Sequence, residues 1–501
     1  MDTLKQVSQR HEVGKKLFPW RARFVSCRLC AISFCVILLS LSRIAAGADL
    51  SVIQAVRERD HALLRSLLQK RADINALQAD GTSALAWAAH WDDLEAADLL
   101  IQAGANVNTA NIYGVTALSL ACTNGSAAMV EKLLKAGANP NAAQRSGETP
   151  LMTCARTGNL SAVQLLVSHR ADVSAQESRQ KQTALMWAVA QKHSQVVRAL
   201  LDSGADVHAR STGGFTPLLF AARVGDLDSI RLLLQAGADV NEKTPEGLSA
   251  LLVASSSGRF EALSIFLLDQ GADPNVTDGN GITPLHYAAP KGISAIGSAA
   301  VLMPNQPQLV QALLKHGAKV NAQITKDFVP NTRPDFVART TLVGATPLFL
   351  AAASADAEIM HILADAGADP RLSNHNGMTP LMATAAYGSA VEGGKAPEAA
   401  KLLAELGGNV NAADKDGQTA LHYAASAGAD PIVQILAEKG ADLNAQDKAG
   451  ETPLRIAQGG DPEDKRSRAH AHPSTANLLL HLAAIPAAAR QPSTATPKSS
   501  E

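Results

Sequence analysis

A stretch of about 33 residues is repeated along most of this chain, and the repetition constrains the fold more than any other feature. One copy runs from 214 to 241. In it, Thr216 is a good N-cap, and Pro217 follows at the first helical position, where a missing N–H costs nothing. Gly225 and Gly237 then end two short helices, because glycine tolerates the left-handed conformation. The stretch therefore predicts a helix, a turn, a second helix and an extended finger.

A leucine in the first helix marks each copy, Leu218 in this one. Two short helices cannot bury their apolar faces alone, so every copy needs neighbours on both sides. The pattern therefore predicts an all-α repeat solenoid, in which a long chain forms one quasi-one-dimensional array. The equivalent leucines, mostly 33 or 34 residues apart, are Leu85, Leu118, Leu151, Leu185, Leu251, Leu285, Leu348, Leu381, Leu421 and Leu454.

The motif residues resemble those of the ankyrin repeat family over about residues 50–485. Residues 283–286 read Thr-Pro-Leu-His and are followed by Ala288 and Ala289, while residues 271–275 read Gly-Ala-Asp-Pro-Asn. The resemblance implies an ankyrin array of about eleven helix-turn-helix-finger repeats, an N-terminal capping half-repeat and a concave binding groove. It implies no chemistry, because function does not follow from a fold.

Breaks in the period predict how the chain is divided. Leu285 and Leu348 are 63 residues apart, and the extra length falls at 292–308 and at 323–344, here called the arm. A smaller excess lies around 387–397. The predicted segments are a leader at 1–48, a capping repeat at 49–80, regular repeats at 81–290, insertions at 291–344, repeats at 345–450, a C-terminal capping repeat at 451–485 and a disordered tail at 486–501.

The leader has the architecture of a secretory signal peptide. A basic segment at 1–28 precedes a mostly apolar run at 29–41, and Ala46-Gly47-Ala48 follows as a small-x-small cleavage pattern. Cleavage after Ala48 predicts export to the periplasm or the extracellular space. The basic segment is unusually long, so the alternative is an uncleaved signal that anchors the protein in the membrane by residues 29–46.

The charge balance argues against a nucleic-acid-binding protein, and the positions of the cysteines argue against a disulfide. The chain has 45 basic and 46 acidic residues, a balance that argues against nucleic-acid binding, which needs a basic field. Three of the five cysteines lie in the leader. Cys122 and Cys154 lie in adjacent repeats at non-equivalent helix positions. Stacked helices are about 8–10 Å apart, too far for a strain-free disulfide, so we expect two small buried residues.

Candidate partner-binding residues are aromatic or charged side chains at finger tips, at first-helix ends and in the arm. Such residue types dominate interface energetics. By contrast, Trp87, Trp187, Tyr287 and Tyr423 share one repeat position, which indicates packing between the first helix and the finger. The candidates are Trp91, Tyr113, Arg145, Arg156, Phe215, Arg223, Lys291, Phe328, Arg333, Phe336, Arg339, His375 and Tyr387.

These observations favour a non-catalytic exported scaffold that binds a protein partner through its concave groove, its finger tips and the arm. The sequence shows no metal-ligand spacing, phosphate loop or nucleophile motif, so we expect no cofactor, no catalytic residue and a monomer without membrane contact beyond the leader. The alternative is a small-molecule or enzymatic site built by the insertions. Within 292–343 the only carboxylates are Asp327 and Asp335, which favours contact over catalysis.

Overall fold

A computed structural model of the protein describes residues 51–290, 306–326, 341–387, 395–459 and 471–484, with the backbone of two short strands at 292–293 and 302–303. Contacts divide the chain into two compact units. The N-terminal unit extends to residue 179 and includes 202–204, and the C-terminal unit comprises 180–201 and the chain from 205 onward. Within the described parts, no helix is long and apolar enough to cross a membrane.

Helices of the N-terminal unit come in pairs, one pair to each repeat. The first helix of a repeat packs against the first helix of the next, and the second helix covers the first. The pairs are α1 Ser51–Arg57 and α2 His61–Gln69, α3 Ala84–His90 and α4 Leu94–Gln102, α5 Ala117–Asn124 and α6 Ala127–Lys135, and α7 Pro150–Thr157 and α8 Leu160–Ser168.

The C-terminal unit continues the same alternation of first and second helices. Its helices are α9 Ala184–Ala190, α10 Ser194–Asp202, α11 Pro217–Val224, α12 Leu227–Gln235, α13 Ala250–Ser256, α14 Glu261–Asp269, α15 Pro284–Ala288, α16 Pro307–Lys315, α17 Pro347–Ala353, α18 Ala357–Asp365, α19 Pro380–Tyr387, α20 Ala396–Glu405, α21 Ala420–Ser426, α22 Asp430–Glu438, α23 Pro453–Ala457 and α24 Pro473–Ala484. The predicted all-α repeat class is confirmed.

Helices α15 and α16 are separated by residues 289–306, where the structure describes a small ladder that the sequence did not predict. Strands β1 Gly292–Ile293 and β2 Leu302–Met303 pair antiparallel, with Gly292 opposite Met303. A two-residue ladder carries too little pattern to be recognised from sequence, because strand prediction depends on alternation over several residues.

Local chemistry sets the helix ends as the sequence predicts. Thr216 caps α11 by accepting a hydrogen bond from the Leu219 N–H at 3.4 Å, and Gly225 ends the helix at φ 70°. Leu218 is fully buried between these ends. Arg71 and Arg170 stand where other repeats have the second-helix glycine, and they adopt φ 55° and 66°. A non-glycine residue in that region costs about 1 kcal/mol.

An asparagine clamp joins each regular finger to the next repeat. The Asn141 side chain accepts the Asp172 N–H at 2.7 Å and donates to the Arg170 carbonyl at 3.1 Å. The clamp satisfies an acceptor at the end of the neighbouring second helix, which would otherwise be left to water. The same pair of bonds is made by Asn108, Asn241, Asn275, Asn321 and Asn411.

Three fingers have another residue in place of the clamp asparagine: Ser174, His208 and Arg371. Arg371 turns back on its own repeat and bonds Asp369 with its guanidinium, at 3.0 and 3.1 Å. We call the contact between a finger and the next repeat a joint. The joint that follows Arg371 therefore lacks the pair of hydrogen bonds that the clamp asparagine makes in other repeats.

A buried histidine caps α15 and reaches the next finger. The Nδ1 atom of His286 accepts the Thr283 N–H at 3.1 Å, and Nε2 lies 3.2 Å from the Ala345 carbonyl. Nδ1 is the acceptor, so the proton of the neutral ring sits on Nε2 and is donated to Ala345. Burial lowers the pKa of His286 to about 4.

Restoring the clamp at Arg371 should stabilise that joint. In Arg371→Asn, the new amide can bond the Gly407 carbonyl and the Asn409 N–H, and each net hydrogen bond contributes about 1 kcal/mol. The lost Arg371–Asp369 pair is exposed and contributes little. Native-state hydrogen exchange should show slower exchange in α18 and α20. The matched control Asn411→Arg should speed exchange in α20 and α22, and unchanged rates in both variants would contradict a role for the clamp.

The neutral state of His286 makes the C-terminal unit sensitive to acid. Its folded pKa lies below the unfolded value of about 6.5, so the unfolded chain binds the extra proton between the two. Stability is therefore complete above pH 6.5 and falls as the pH drops toward 4, by up to roughly 3 kcal/mol. NMR titration of the imidazole measures the shift directly. His286→Gln should lose this part of the pH dependence, and a folded midpoint near 6.5 would refute it.

Candidate functional site

Finger tips in the N-terminal unit are held at a fixed spacing by backbone hydrogen bonds. The Ile112 N–H donates to the Asp80 carbonyl at 2.8 Å, and the Arg145 N–H donates to the Tyr113 carbonyl at 3.0 Å. Within its own turn, Tyr113 is fixed by Asn111, whose carboxamide oxygen accepts the Tyr113 and Val115 N–H groups, both at 3.0 Å. The tips are therefore ordered platforms from which side chains extend.

Large side chains at these finger tips are exposed to solvent. Tyr113 is 61% exposed and Ile112 47%, and Arg145 is exposed beside them. We call Ile112, Tyr113 and Arg145 the finger-tip row. The sequence singled out Tyr113 and Arg145, and the structure brings them together in consecutive fingers. The sequence did not indicate Ile112, because an isoleucine does not stand out in a repeat that is rich in aliphatic residues.

A cluster of aromatic rings and arginines lies at the end of α3. Trp91 is 42% exposed and stacks on Trp87, with centroids 6.4 Å apart. The guanidinium of Arg57 lies 5.0 Å from the Trp87 ring centroid, and that of Arg59 lies 5.5 Å from Trp91. His90 meets both tryptophans edge-on, and burial lowers its pKa. We call these five residues the Trp91 cluster.

Arg59 orients Trp91 in two ways. Its guanidinium donates to the Trp91 carbonyl at 2.7 Å while lying over the ring. Arg59 itself adopts φ 55° in the turn between α1 and α2, where later repeats have Gly125 or Gly158. Sequence analysis did not single out Arg59. The signal available was an arginine at a left-handed turn position that glycine occupies in several other repeats, although Asp92, Lys192 and Ala355 occupy it as well.

Recurring aromatics at the shared repeat position connect first helix and finger, as predicted. The Trp87 indole N–H donates to Gln78 at 3.1 Å, and the Tyr423 hydroxyl donates to Asp414 at 2.6 Å. Tyr287 makes a longer bond of the same kind to Asp278, at 3.5 Å. Burial and the Asp414 contact raise the pKa of Tyr423. These rings serve the fold, whereas Trp91 is exposed.

Other candidates are committed to their own repeats. Arg156 pairs with Glu148 at 3.3 Å, on a carboxylate that Thr153 also contacts. In the C-terminal unit, Arg223 lies over Phe215 and Phe220, with its guanidinium carbon 5.2 and 4.6 Å from their centroids. Phe215 is half-buried by this stack, so packing within the repeat is enough to explain an aromatic residue at this position.

His375 and Tyr387 complete the described candidates. His375 is an exposed finger-tip residue whose N–H donates to the Val343 carbonyl at 2.7 Å, and Tyr387 is half-buried at the end of α19. Lys291, Phe328, Arg333, Phe336 and Arg339 lie outside the described residues.

The arm begins from a closed stem. The Ile324 N–H donates to the Ala345 carbonyl at 3.1 Å, and the Gly344 N–H donates back to Ile324 at 2.8 Å. Ile324, Leu342 and Val343 are buried. The two ends of the arm are therefore part of the packed repeat, and residues 327–340 between them lie outside the described residues.

The predicted absence of a disulfide was wrong. Cys122 and Cys154 form one, with their Cα atoms 4.7 Å apart and both side chains fully buried. The spacing of about 8–10 Å holds between helix axes, whereas these two Cα atoms lie on the facing sides of α5 and α7.

The described residues give little support to the alternative of a small-molecule or enzymatic site built by the insertions. A cavity of about 330 Å³ lies beside the arm stem and is lined by Asp278, Lys319, Thr325 and Lys326, among others. Asp278 is already used there to close its own turn, accepting the Asn280 and Ile282 N–H groups. Among the described residues, no group of three or more His, Cys, Asp or Glu side chains is placed to hold a metal ion.

Comparison with known proteins gives a similar solved structure and a matching family model. A solved structure, the human ASB11 ankyrin repeat domain, is similar at 26% identity, covering 44% of this chain and 98% of that chain with a TM-score of 0.40. A family model described as ankyrin repeats in three copies matches residues 52–144, 133–211, 218–324, 299–414, 348–447 and 389–484. These matches cover nearly all of the chain from 52 to 484, and the chain belongs to the ankyrin repeat family.

Proposed function

We propose that this protein is an exported, non-catalytic scaffold that binds another protein through its first-helix ends and finger tips. Ankyrin repeats are scaffolds typical of protein–protein interaction, which supports the general class. The observation that carries the proposal for this chain is the exposure of Trp91, Ile112 and Tyr113 in neighbouring repeats of one unit. None of the three fills a position that the repeat needs for its core.

Energetics favour these side chains as anchors. Tryptophan, tyrosine and arginine dominate measured interface energies, because large rings bury much apolar area for few rotatable bonds. Tyr113 stands on a turn fixed by Asn111, and Trp91 is held by Arg59. Residues that are already ordered lose little conformational entropy on binding, so more of the contact energy remains as affinity.

Arginines supply the polar part of the same surface. The ring stacking of Arg57 and Arg59 uses the guanidinium faces and leaves N–H donors at the edges, which can pair carboxylates or backbone carbonyls. Arg145 adds a further exposed guanidinium in the finger-tip row. The surface therefore matches a polypeptide partner, which offers apolar side chains and hydrogen-bond acceptors together.

Removing the two exposed rings should weaken partner binding without unfolding the protein. Two anchors that each contribute more than about 1 kcal/mol predict that Trp91→Ala/Tyr113→Ala binds at least ~30-fold more weakly. Affinity capture from the protein's own compartment identifies the partner, and titration calorimetry measures its affinity. The matched control Leu480→Ala removes an exposed apolar side chain from α24 and should leave affinity unchanged. Equal affinity of the double variant and wild type would sink the proposal.

The arm is the second proposed contact element. Phe328 and Phe336 have no repeat position to pack into, and Arg333 and Arg339 can pair carboxylates on a partner. The alternative is that the arm covers its own rings and only packs.

Replacing 327–340 with a short Gly-Ser link separates these arrangements, because the buried stem residues Ile324 and Leu342 are kept. We expect partner affinity to fall while thermal stability barely changes. A control that replaces only 329–332 keeps both phenylalanines and both arginines and should bind like wild type. Unchanged capture together with a clear loss of stability would show that the arm is only a packing element.

A further inference from the structure

Every cysteine of the predicted mature chain lies in the Cys122–Cys154 bond. Cys27, Cys30 and Cys35 lie upstream of the predicted cleavage site at Ala48 and would be removed with the leader. The chain that remains has an even number of cysteines and no spare thiol, which is typical of proteins that mature under oxidising conditions. The leader and the bond are independent observations, one from the sequence and one from the packing of α5 against α7.

Other repeats show what the bond adds. At the position of Cys154 nearly every repeat has alanine, and at the position of Cys122 most do. Alanine fills these positions without a cross-link, so the repeat has no need of cysteine for packing. The equivalents of Cys154 include Ala88, Ala121, Ala188, Ala221 and Ala254, and those of Cys122 include Ala89, Ala155, Ala222 and Ala289.

Hydrogen bonds connect the helices that carry the disulfide to the end of α3, the helix that precedes Trp91. Thr157 at the end of α7 donates to the Cys122 carbonyl at 3.3 Å. Asn124 at the end of α5 then donates to the Ala89 and His90 carbonyls of α3, at 2.9 and 2.7 Å. The cross-link thus fixes α7 to α5, and α5 holds the end of the helix from which Trp91 extends.

We propose that Cys122–Cys154 is a covalent clamp, formed after export, that holds the first helices of the N-terminal unit in the arrangement that presents the Trp91 cluster. This inference rests in part on the export included in the proposed function. It goes beyond that function because it makes the local stability of one unit depend on the redox state of the compartment.

Formation of the bond requires an oxidant, which we infer to be the disulfide of a thiol–disulfide oxidoreductase. One cysteine thiolate attacks that disulfide and forms a mixed disulfide, releasing one thiol of the oxidant. The second cysteine thiolate then attacks the mixed disulfide, closing Cys122–Cys154 and releasing the other thiol. The protein loses two protons and two electrons, and the oxidant becomes a dithiol. Both sulfur atoms are buried in the folded chain, so the exchange must precede the packing of α5 against α7.

The first test uses the full-length gene product expressed with its own leader and recovered from the exported fraction. Peptide mapping without reductant should find the Cys122 and Cys154 peptides linked, and N-terminal sequencing should begin at Asp49. Free thiols at both positions would overturn the clamp, even if the chain began at Asp49. An intact linkage in a chain that still begins at Met1 would overturn cleavage of the leader and leave the clamp standing.

The second test asks what the bond does. Cys122→Ala/Cys154→Ala should fold, because it restores the residue that other repeats use. Loss of a cross-link closing a loop of this length should speed amide exchange in α5–α8 on the order of 100-fold. Exchange in α11 and α12 of the C-terminal unit should not change.

The matched control is Ser255→Ala, at the position equivalent to Cys122 in the C-terminal unit, and it should leave α5–α8 unaffected. Partner affinity of the double alanine variant should fall, because Trp91 then stands on a looser helix. Exchange in α5–α8 equal to that of wild type would overturn the clamp. A lost partner interaction with unchanged exchange would do so as well.

Discussion

Close packing of first helices through small side chains is the contact on which the rest of the structure depends. The positions that face the neighbouring repeat are alanines such as Ala88, Ala121 and Ala221, all fully buried. A larger side chain there would separate the helices and expose the leucines beneath them. No repeat can close its own core, so each gains its stability from its neighbours and the total is close to a sum of local terms.

Repeats that share one fold can still be joined to their neighbours by contacts of different stability. The repeats of α5 and α7 are joined both by the Asn141 clamp and by the Cys122–Cys154 bond, and the Asn108 clamp joins the repeat of α3 to that of α5. The joint after Arg371 has neither. Because coupling is local, this variation makes some repeats rigid and others easier to open without a change of fold. The most strongly joined repeats are those that adjoin the Trp91 cluster and the finger-tip row.

Sequence predicted the fold well where the chemistry is local. Thr216, Pro217 and Gly225 fix their helix ends through capping and backbone conformation, which need no knowledge of the neighbours. Prediction failed where the answer depended on which side of a helix a residue occupies. The disulfide was rejected from the distance between helix axes, whereas the facing Cα atoms of Cys122 and Cys154 are much closer. The role of Arg59 was missed for a related reason, since it acts on the turn of the following repeat.

The contrast between Trp87 and Trp91 shows how the proposed binding surface is separated from the core. Both lie on the last turn and cap of one short helix, and their rings stack. Trp87 donates its indole N–H to Gln78 in the finger that directly precedes α3, so its polar group is satisfied by a short-range contact. Trp91 is instead held by Arg59 from the preceding repeat, and its ring keeps 42% exposure. Exposing a large ring in water is unfavourable, and a repeat protein gains no core stability from it. The ordered but exposed ring of Trp91 therefore supports the proposal that it contacts a partner.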